Sequence, residues 1–289
     1  MRRTLSYLLW PGLLAGAMAI NAYGMSTDMP ILWLNISYFG LALALFVLER
    51  VMPHETAWNA NDGQLWPDIA HTLLSKSAVQ VLIVVPAITG IGALASDEGA
   101  AWWPREWPVA LQVVLGLVIA EFGFYWAHRL CHEVRPLWRF HAVHHSVTRL
   151  WFVNTGRFHF GDTLVSVVFG LGIALACGMP QDIIVWVSAI TAYIGLLTHA
   201  NVEMRTGALD YVFNTPALHR WHHSKRLEEG NRNYGENLML FDLLLGTHFV
   251  SARRPPVDIG INEPMPATLG AQIAYPFRRS AADVGTANA

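Results

Sequence analysis

Residues 121–146 read EFGFYWAHRLCHEVRPLWRFHAVHHS. An apolar run ends here in a dense set of imidazoles, and the folding of that junction decides the rest. His128 and His132 are four apart, so on a helix they lie one turn apart on one face. His141, His144 and His145 follow at i, i+3 and i+4. Further on, LHRWHHSKR (218–226) repeats that spacing with His219, His222 and His223. Each of these three boxes is expected to present its nitrogens in one direction. Upstream, Glu121, Tyr125, His128 and His132 fall on one helical stripe. A carboxylate inside an apolar segment costs about 2.5–3.5 kcal/mol to insert. Glu121 is therefore expected to accept a hydrogen bond from a ligand imidazole or to line a polar substrate end, unless it sits near the headgroups.

Neutral imidazole is a ligand for iron, zinc and copper. One metal takes about four to six ligands, so eight box histidines suit two metals. The same imidazoles left unpartnered at a membrane boundary would be costly. His199, in LLTHANVE, follows the last apolar segment and is expected to be a ninth ligand. His159, in GRFHFGD, is read as a ligand, a hydrogen-bond donor behind the ligands, or a substrate contact. Metal-bound histidine usually donates its other N–H to a carboxylate or carbonyl. Glu133, Asp162, Glu203 and Asp242 are candidates for that role, a solvated surface carboxylate being the plainer reading of each. Glu203 stands four after His199, so on a continuing helix it would share that face. Arg129, Arg139, Arg157, Arg220, Lys225 and Arg226 thread the boxes and are read as meeting lipid headgroups. Phe122, Phe124, Trp126, Trp138, Trp151 and Phe152 are read as lining a substrate entrance or as ordinary core and interfacial aromatics. His54, His71 and His248 stand alone and are read as structural.

The chain has 289 residues, of which 53% are hydrophobic and only 14% charged. A soluble domain carries about 25% charge, so a simple water-soluble globule, a disordered chain and a nucleic-acid binder are set aside. The net charge of -2 offers no polybasic surface. Cys131 and Cys177 are too few for a disulfide framework. Apolar segments near the roughly 20 residues that a bilayer requires run from Leu5 to Tyr23, Pro30 to Leu48, Ala78 to Ala95, Val109 to Ala127, Leu164 to Cys177, and Ile183 to Thr198. The fifth is short and is expected to pair with the sixth as a hairpin that only partly enters the bilayer. The opening MRRT is not read as a signal peptide, since a second apolar stretch starts almost at once. With the N-terminus inside, 18 of the 19 Lys and Arg residues fall on the cytoplasmic side, Arg105 being the exception. All 13 histidines fall on that side or at its face. The expected fold is all-α: a multi-pass helical membrane protein with a cytoplasmic, histidine-rich metal-binding lobe. Its expected parts are N-terminal transmembrane helices (1–107), a histidine-box domain (108–250) and a cytoplasmic tail (251–289) that caps the lobe and frays towards its end.

HRLCH, HAVHHS and HRWHHS, with NYGENLMLFDLLLGT following, resemble the fatty acid hydroxylase/sterol desaturase superfamily of integral membrane proteins. The resemblance covers roughly 119–249. It implies a non-haem di-iron centre held by His128, His132, His141, His144, His145, His219, His222 and His223, with His199 matching an isolated histidine of relatives. It implies two iron ions, O2 as co-substrate, and hydroxylation or desaturation of a membrane-lipid C–H bond. No CxxC pair, dinucleotide fingerprint or HPGG motif is present. A separate electron donor is therefore expected: a reductase, a ferredoxin or a cytochrome b5-like carrier. The Ala-rich chain reads as a bacterial inner-membrane protein. A desaturase with the same centre is the nearest alternative. A zinc-dependent or structural metal site comes from another class and fits less well, because zinc sites close with about four ligands.

Overall fold

The computed structural model describes residues 2–79, 81 and 103–278. Four helices among these are long and apolar enough to cross a membrane. They are α1 (Arg2–Met25), α2 (Pro30–Val51), α4 (Val109–Glu133) and α7 (Gln181–His199). Between the last two runs a shorter apolar helix, α6 (Phe160–Ala176). The expected segment from Ala78 to Ala95 lies almost wholly outside the described residues. Shorter helices include α3 (Leu65–Ala70), continued by a wider turn over His71–Lys76, α5 (Arg135–His145), α8 (Pro216–His222), α9 (Leu240–Leu245) and α10 (Leu269–Ala274). Among the described residues there is no strand, only isolated bridges.

In a bilayer, helices associate by close packing rather than by the hydrophobic effect, and small residues allow that approach. α4 and α6 meet this way. A Cβ on Gly123 would lie 2.2 Å from the Phe169 carbonyl oxygen, and one on Gly170 would lie 2.1 Å from the Phe124 ring. α7 is the most interior helix, with Ile183, Tyr193, Ile194 and Leu197 fully buried. Tyr193 shares a 2.5 Å hydrogen bond with Ser37 of α2.

All the helix ends that carry histidine come to one end of the bundle. Arg2 donates to the Val51 carbonyl, pairing the start of α1 with the end of α2. Glu49, near that end of α2, is buried and accepts from Phe152 N (2.9 Å) and Asn201 N (3.0 Å). It thereby ties the loops after α5 and α7 to the stem. α4 breaks at Val134, whose backbone is extended, because Pro136 follows and a proline ring is tolerated only in the first turn of the next helix. That break turns α5 back so that its histidines face those of α4.

The segment after Ser251 closes the lobe as far as it is described. Trp58 donates to the Val257 carbonyl (3.1 Å), and His71 Nε2 meets Gln272 Oε1 at 3.1 Å. Two of the arginines read as headgroup contacts are instead interior. Arg157 pairs with Asp68 at 2.7 Å with both side chains at most 2% exposed. Arg220 donates to the Ala200 and Val202 carbonyls at 2.8 and 3.0 Å. Guanidinium is the cation best suited to such sites, since its fork of donors satisfies several acceptors at once.

Candidate metal centre

Nine histidines converge in two groups. His128, His132, His141, His145 and His222 form one; His144, His199, His219 and His223 form the other. In each group the candidate ligand atoms lie within 4.8 Å of one another. The boxes are therefore not unidirectional. In the second box His141 and His145 enter the first cluster and His144 the second. In the third box His219 and His223 enter the second cluster and His222 the first. With 3.6 residues per turn, successive residues point about 100° apart. An i, i+4 pair thus shares a direction, while the residue between them at i+3 points into the neighbouring site. The HxxHH spacing delivers ligands to two adjacent centres from one short helix. His145 and His223, one from each cluster, stack at 4.3 Å between ring centroids.

The side facing away from the metal is tied down for four rings of the first cluster and for His199 of the second. In the first, His128 Nδ1 donates to the Tyr234 carbonyl (2.8 Å), His132 Nδ1 to Asn231 Oδ1 (3.1 Å), His141 Nδ1 to Asp162 (2.9 Å) and His222 Nδ1 to the Arg232 carbonyl (2.7 Å). These contacts leave the Nε2 atoms of His128, His132, His141 and His222 buried and without a partner, and that of His145 likewise. Five orphaned imidazole nitrogens in one place would cost several kcal/mol, and a cation answers all five. In the second cluster His199 Nδ1 donates to Asn154 Oδ1 at 2.8 Å. The Nε2 of His199 then lies 2.9 Å from that of His219, which lies 3.1 Å from that of His223. Two imidazoles bound about 2.1 Å from one ion at a right angle have nitrogens about 3 Å apart. The residues present therefore fit a metal in each cluster. Burial pushes the pKa of His141, His144, His145, His219, His222 and His223 well below the usual 6.5. They are neutral at pH 7, the form that binds metal.

The carboxylates divide by place. Asp162 is buried and holds His141. Glu121 accepts from Glu236 N (2.6 Å) and Asn237 N (2.9 Å), fixing the loop that carries Tyr234. Asp242 holds the same loop through Tyr234 N (2.8 Å) and Gly235 N (2.7 Å). Both carboxylates act one step behind the ligands and touch no histidine. Glu133 pairs with Arg129 on the surface. Glu203 is not on the face of His199, because α7 ends at His199 and Ala200 is extended; it meets His54 Nδ1 at 3.0 Å instead. His159 joins neither cluster. Its Nδ1 accepts from Gly161 N (3.0 Å), capping α6, and its Nε2 donates to the Ile273 carbonyl (3.1 Å). With both ring nitrogens engaged, it anchors the C-terminal segment. His71 and His248 are also held by hydrogen bonds away from the clusters.

A cavity of about 570 Å³ opens from the clusters into the bundle. Its inner end is lined by His128, His141, His144, His199 and His219, and its outer part by residues of α2, α6 and α7 such as Phe39, Leu171 and Val187, with Met179 from the turn between α6 and α7. Of the six aromatics read as an entrance, Phe124 lines the cavity and the other five are not among its walls. Trp138 packs instead on His132 and His145, at 5.3 and 5.6 Å. Asn154, Asn231 and the Tyr234 carbonyl are functional groups that sequence reading misses. Asn231 stands two residues before the NYG segment and Tyr234 is within it; Asn233 there adopts φ 55°, an uncommon left-handed backbone that marks a built turn.

The fatty acid hydroxylase family profile matches residues 113–247, which contain all nine of these histidines. Ornithine lipid hydroxylase OlsE of Rhizobium tropici is 49% identical over 279 residues, 95% of this chain and 84% of that protein. Alkylglycerol monooxygenase of Xenopus tropicalis is 31% identical over 151 residues, covering 52% of this chain and 31% of that protein. The Homo sapiens alkylglycerol monooxygenase is 30% identical over 149 residues, covering 50% and 32%. No solved structure matches. With the full-length similarity, the two histidine clusters and the four apolar helices taken together, the chain belongs to the fatty acid hydroxylase family and is an integral membrane oxidoreductase.

Proposed function

We propose that the protein is a di-iron, O2-dependent hydroxylase of an amino-acid-bearing membrane lipid of the ornithine lipid type. One observation carries this reading: nine imidazoles sort into two adjacent ligand sets at the inner end of a cavity that runs among the helices. A lipid C–H bond has no acidic proton and no leaving group, so side-chain acid–base chemistry cannot break it. Iron in the two clusters would supply the oxidising power that O2 chemistry needs. The first metal would be held by His128, His132, His141, His145 and His222, and the second by His144, His199, His219 and His223.

The chain's own contribution is position and exclusion. Asp162, Asn231, Asn154 and the Tyr234 and Arg232 carbonyls hold five imidazoles in one tautomer and one orientation. The buried loop over 231–237 is itself held by Glu121 and Asp242. The cavity keeps water from the reacting carbon and fixes it near the clusters, where a displacement of about 1 Å costs about 10²-fold in rate. The distribution of Lys and Arg supports a cytoplasmic side for the clusters, in what we read as a bacterial inner membrane. A soluble electron carrier docking on the lobe would reach them there. The amino-acid-lipid assignment rests on the similarity to ornithine lipid hydroxylase OlsE.

The test is expression in a host that makes ornithine lipid, supplied with a redox partner, followed by lipid mass spectrometry of wild type and His144→Ala. A lipid heavier by one oxygen atom and absent in the variant is the expected result. A lipid lighter by two hydrogens would replace hydroxylation with desaturation. No histidine-dependent change in any lipid would overturn both.

A further inference from the structure

Some polar groups at the histidine end of the cavity are not used by the metal centre. Lys76 lines the cavity, and among the described residues its ammonium has no carboxylate within 4.0 Å and no hydrogen-bond acceptor. Its Nζ stands 5.3 Å over the Phe158 ring, and that ring stacks on His144 at 4.2 Å. The ammonium is thus one ring away from the second cluster. Glu236 lines the same cavity, and among the described residues its carboxylate makes no hydrogen bond or ion pair. Asn214 is 3% exposed and also a wall residue. Its Nδ2 donates to the Gly235 carbonyl at 2.7 Å, while its Oδ1 is buried with no partner. Burial lowers the Lys76 pKa, and the Glu236 carboxylate draws it back up. The two charges therefore sense each other across the cavity without closing on one another.

A plain acyl chain in this space would leave a cation, an anion and an amide carbonyl desolvated and unanswered, at a cost of several kcal/mol. The rest of the cavity suits acyl chains, since Leu171, Ala174, Met179, Ile184 and Val187 line it. The polar end calls for one acceptor-rich group opposite Lys76 and one donor-rich group opposite Glu236 and Asn214. An N-acylated ornithine carries both, as a free carboxylate and a free ammonium. We infer that Lys76, Glu236 and Asn214 form a headgroup subsite for a zwitterionic amino-acid lipid: Lys76 binds the carboxylate, and Glu236 with Asn214 Oδ1 binds the ammonium. This rests on the reading of the substrate as an amino-acid lipid. It adds which residues select that substrate and which end of the lipid lies beside the histidines.

The test is equilibrium binding to the iron-loaded protein in detergent micelles, without reductant so that no turnover occurs. Three probes are used: ornithine lipid, its carboxyl methyl ester, and its N-acetylated derivative lacking the ammonium. Wild type is expected to prefer ornithine lipid over both derivatives by about tenfold or more, the range of a charge-assisted hydrogen bond. Lys76→Gln abolishes the discrimination against the methyl ester and keeps that against the acetylated lipid. Glu236→Gln does the reverse, and Lys76→Arg restores the first. Equal weakening for all three probes, or unchanged discrimination in a variant that retains its iron and melting temperature, overturns the inference. Equal binding of all three probes to wild type overturns it as well. Hydroxylation of ornithine lipid by wild type, read separately by mass spectrometry, tests the functional reading. Failure there with discrimination intact in binding removes the reaction and leaves the subsite standing.

Discussion

Asp162→Asn separates the two proposed metals. The carboxylate sits in the first turn of α6, is 1% exposed, and accepts from His141 Nδ1 at 2.9 Å. Its other oxygen faces the Cys131 thiol at 3.7 Å. The amide keeps the size and one acceptor oxygen but loses the charge that raises the basicity of the imidazole. Partners of this kind are worth about 10- to 100-fold in metal affinity, or about 1.4–2.7 kcal/mol. His141 belongs to the five-histidine cluster, and the four residues of the other cluster have no contact with Asp162 among the hydrogen bonds that hold them. Iron-loaded protein dialysed against a chelator should therefore keep two irons per chain as wild type and fall towards one as Asp162→Asn. Metal analysis with iron spectroscopy on the retained fraction reads this directly. Loss of both ions in parallel would refute the reasoning, because it would mean that the clusters bind as one unit. Wild-type retention of both would show that the carboxylate does not support the ligand.

Other outcomes follow from the same contacts. His159→Gln should retain both irons but lower the melting temperature, since both ring nitrogens are spent on Gly161 N and the Ile273 carbonyl; His199→Ala should lose iron from the four-histidine cluster. Glu121→Leu leaves the backbone donors of Glu236 and Asn237 buried and unpaired, each at about 1–3 kcal/mol, and should show as a large drop in melting temperature. Gly123→Val should prevent α4 from seating on α6, whereas Gly172→Ala, with nothing within 4 Å of the added carbon, should be close to neutral; detergent-solubilised yield and melting temperature distinguish them. Burial lowers the pKa of His71 from 6.5 to about 4. Below pH 6.5 the unfolded chain binds a proton that folded His71 refuses, so its contribution is present above that pH and falls by up to about 1.4 kcal/mol per pH unit down to about pH 4. A His71→Gln variant should have a flatter pH dependence of melting temperature in that window, and an unchanged slope would count against this assignment.

The class of the fold and the inventory of the site are legible in the amino-acid order alone. Apolar length reports a spanning helix, as at α2 and α7, because the bilayer sets that length. The i, i+3, i+4 spacing of His141, His144 and His145 announces ligation because helical periodicity is local. How those ligands are shared and held depends on contacts between distant segments. His144 and His145 are neighbours in the chain yet serve different clusters, since a step of one residue turns the side chain by about 100° and the partners at each bearing come from α4, α7 and α8. Glu203 looked to share the face of His199, but helical spacing has no meaning beyond the end of α7. Asn154 and Asn231 carry no motif, and although Tyr234 lies in the NYG segment its role falls to a backbone carbonyl; all three are single acceptors that loops place against a ring nitrogen. A spacing rule extends only as far as one helix persists, whereas a coordination sphere is closed by segments 128–223 brought together through the breaks between helices.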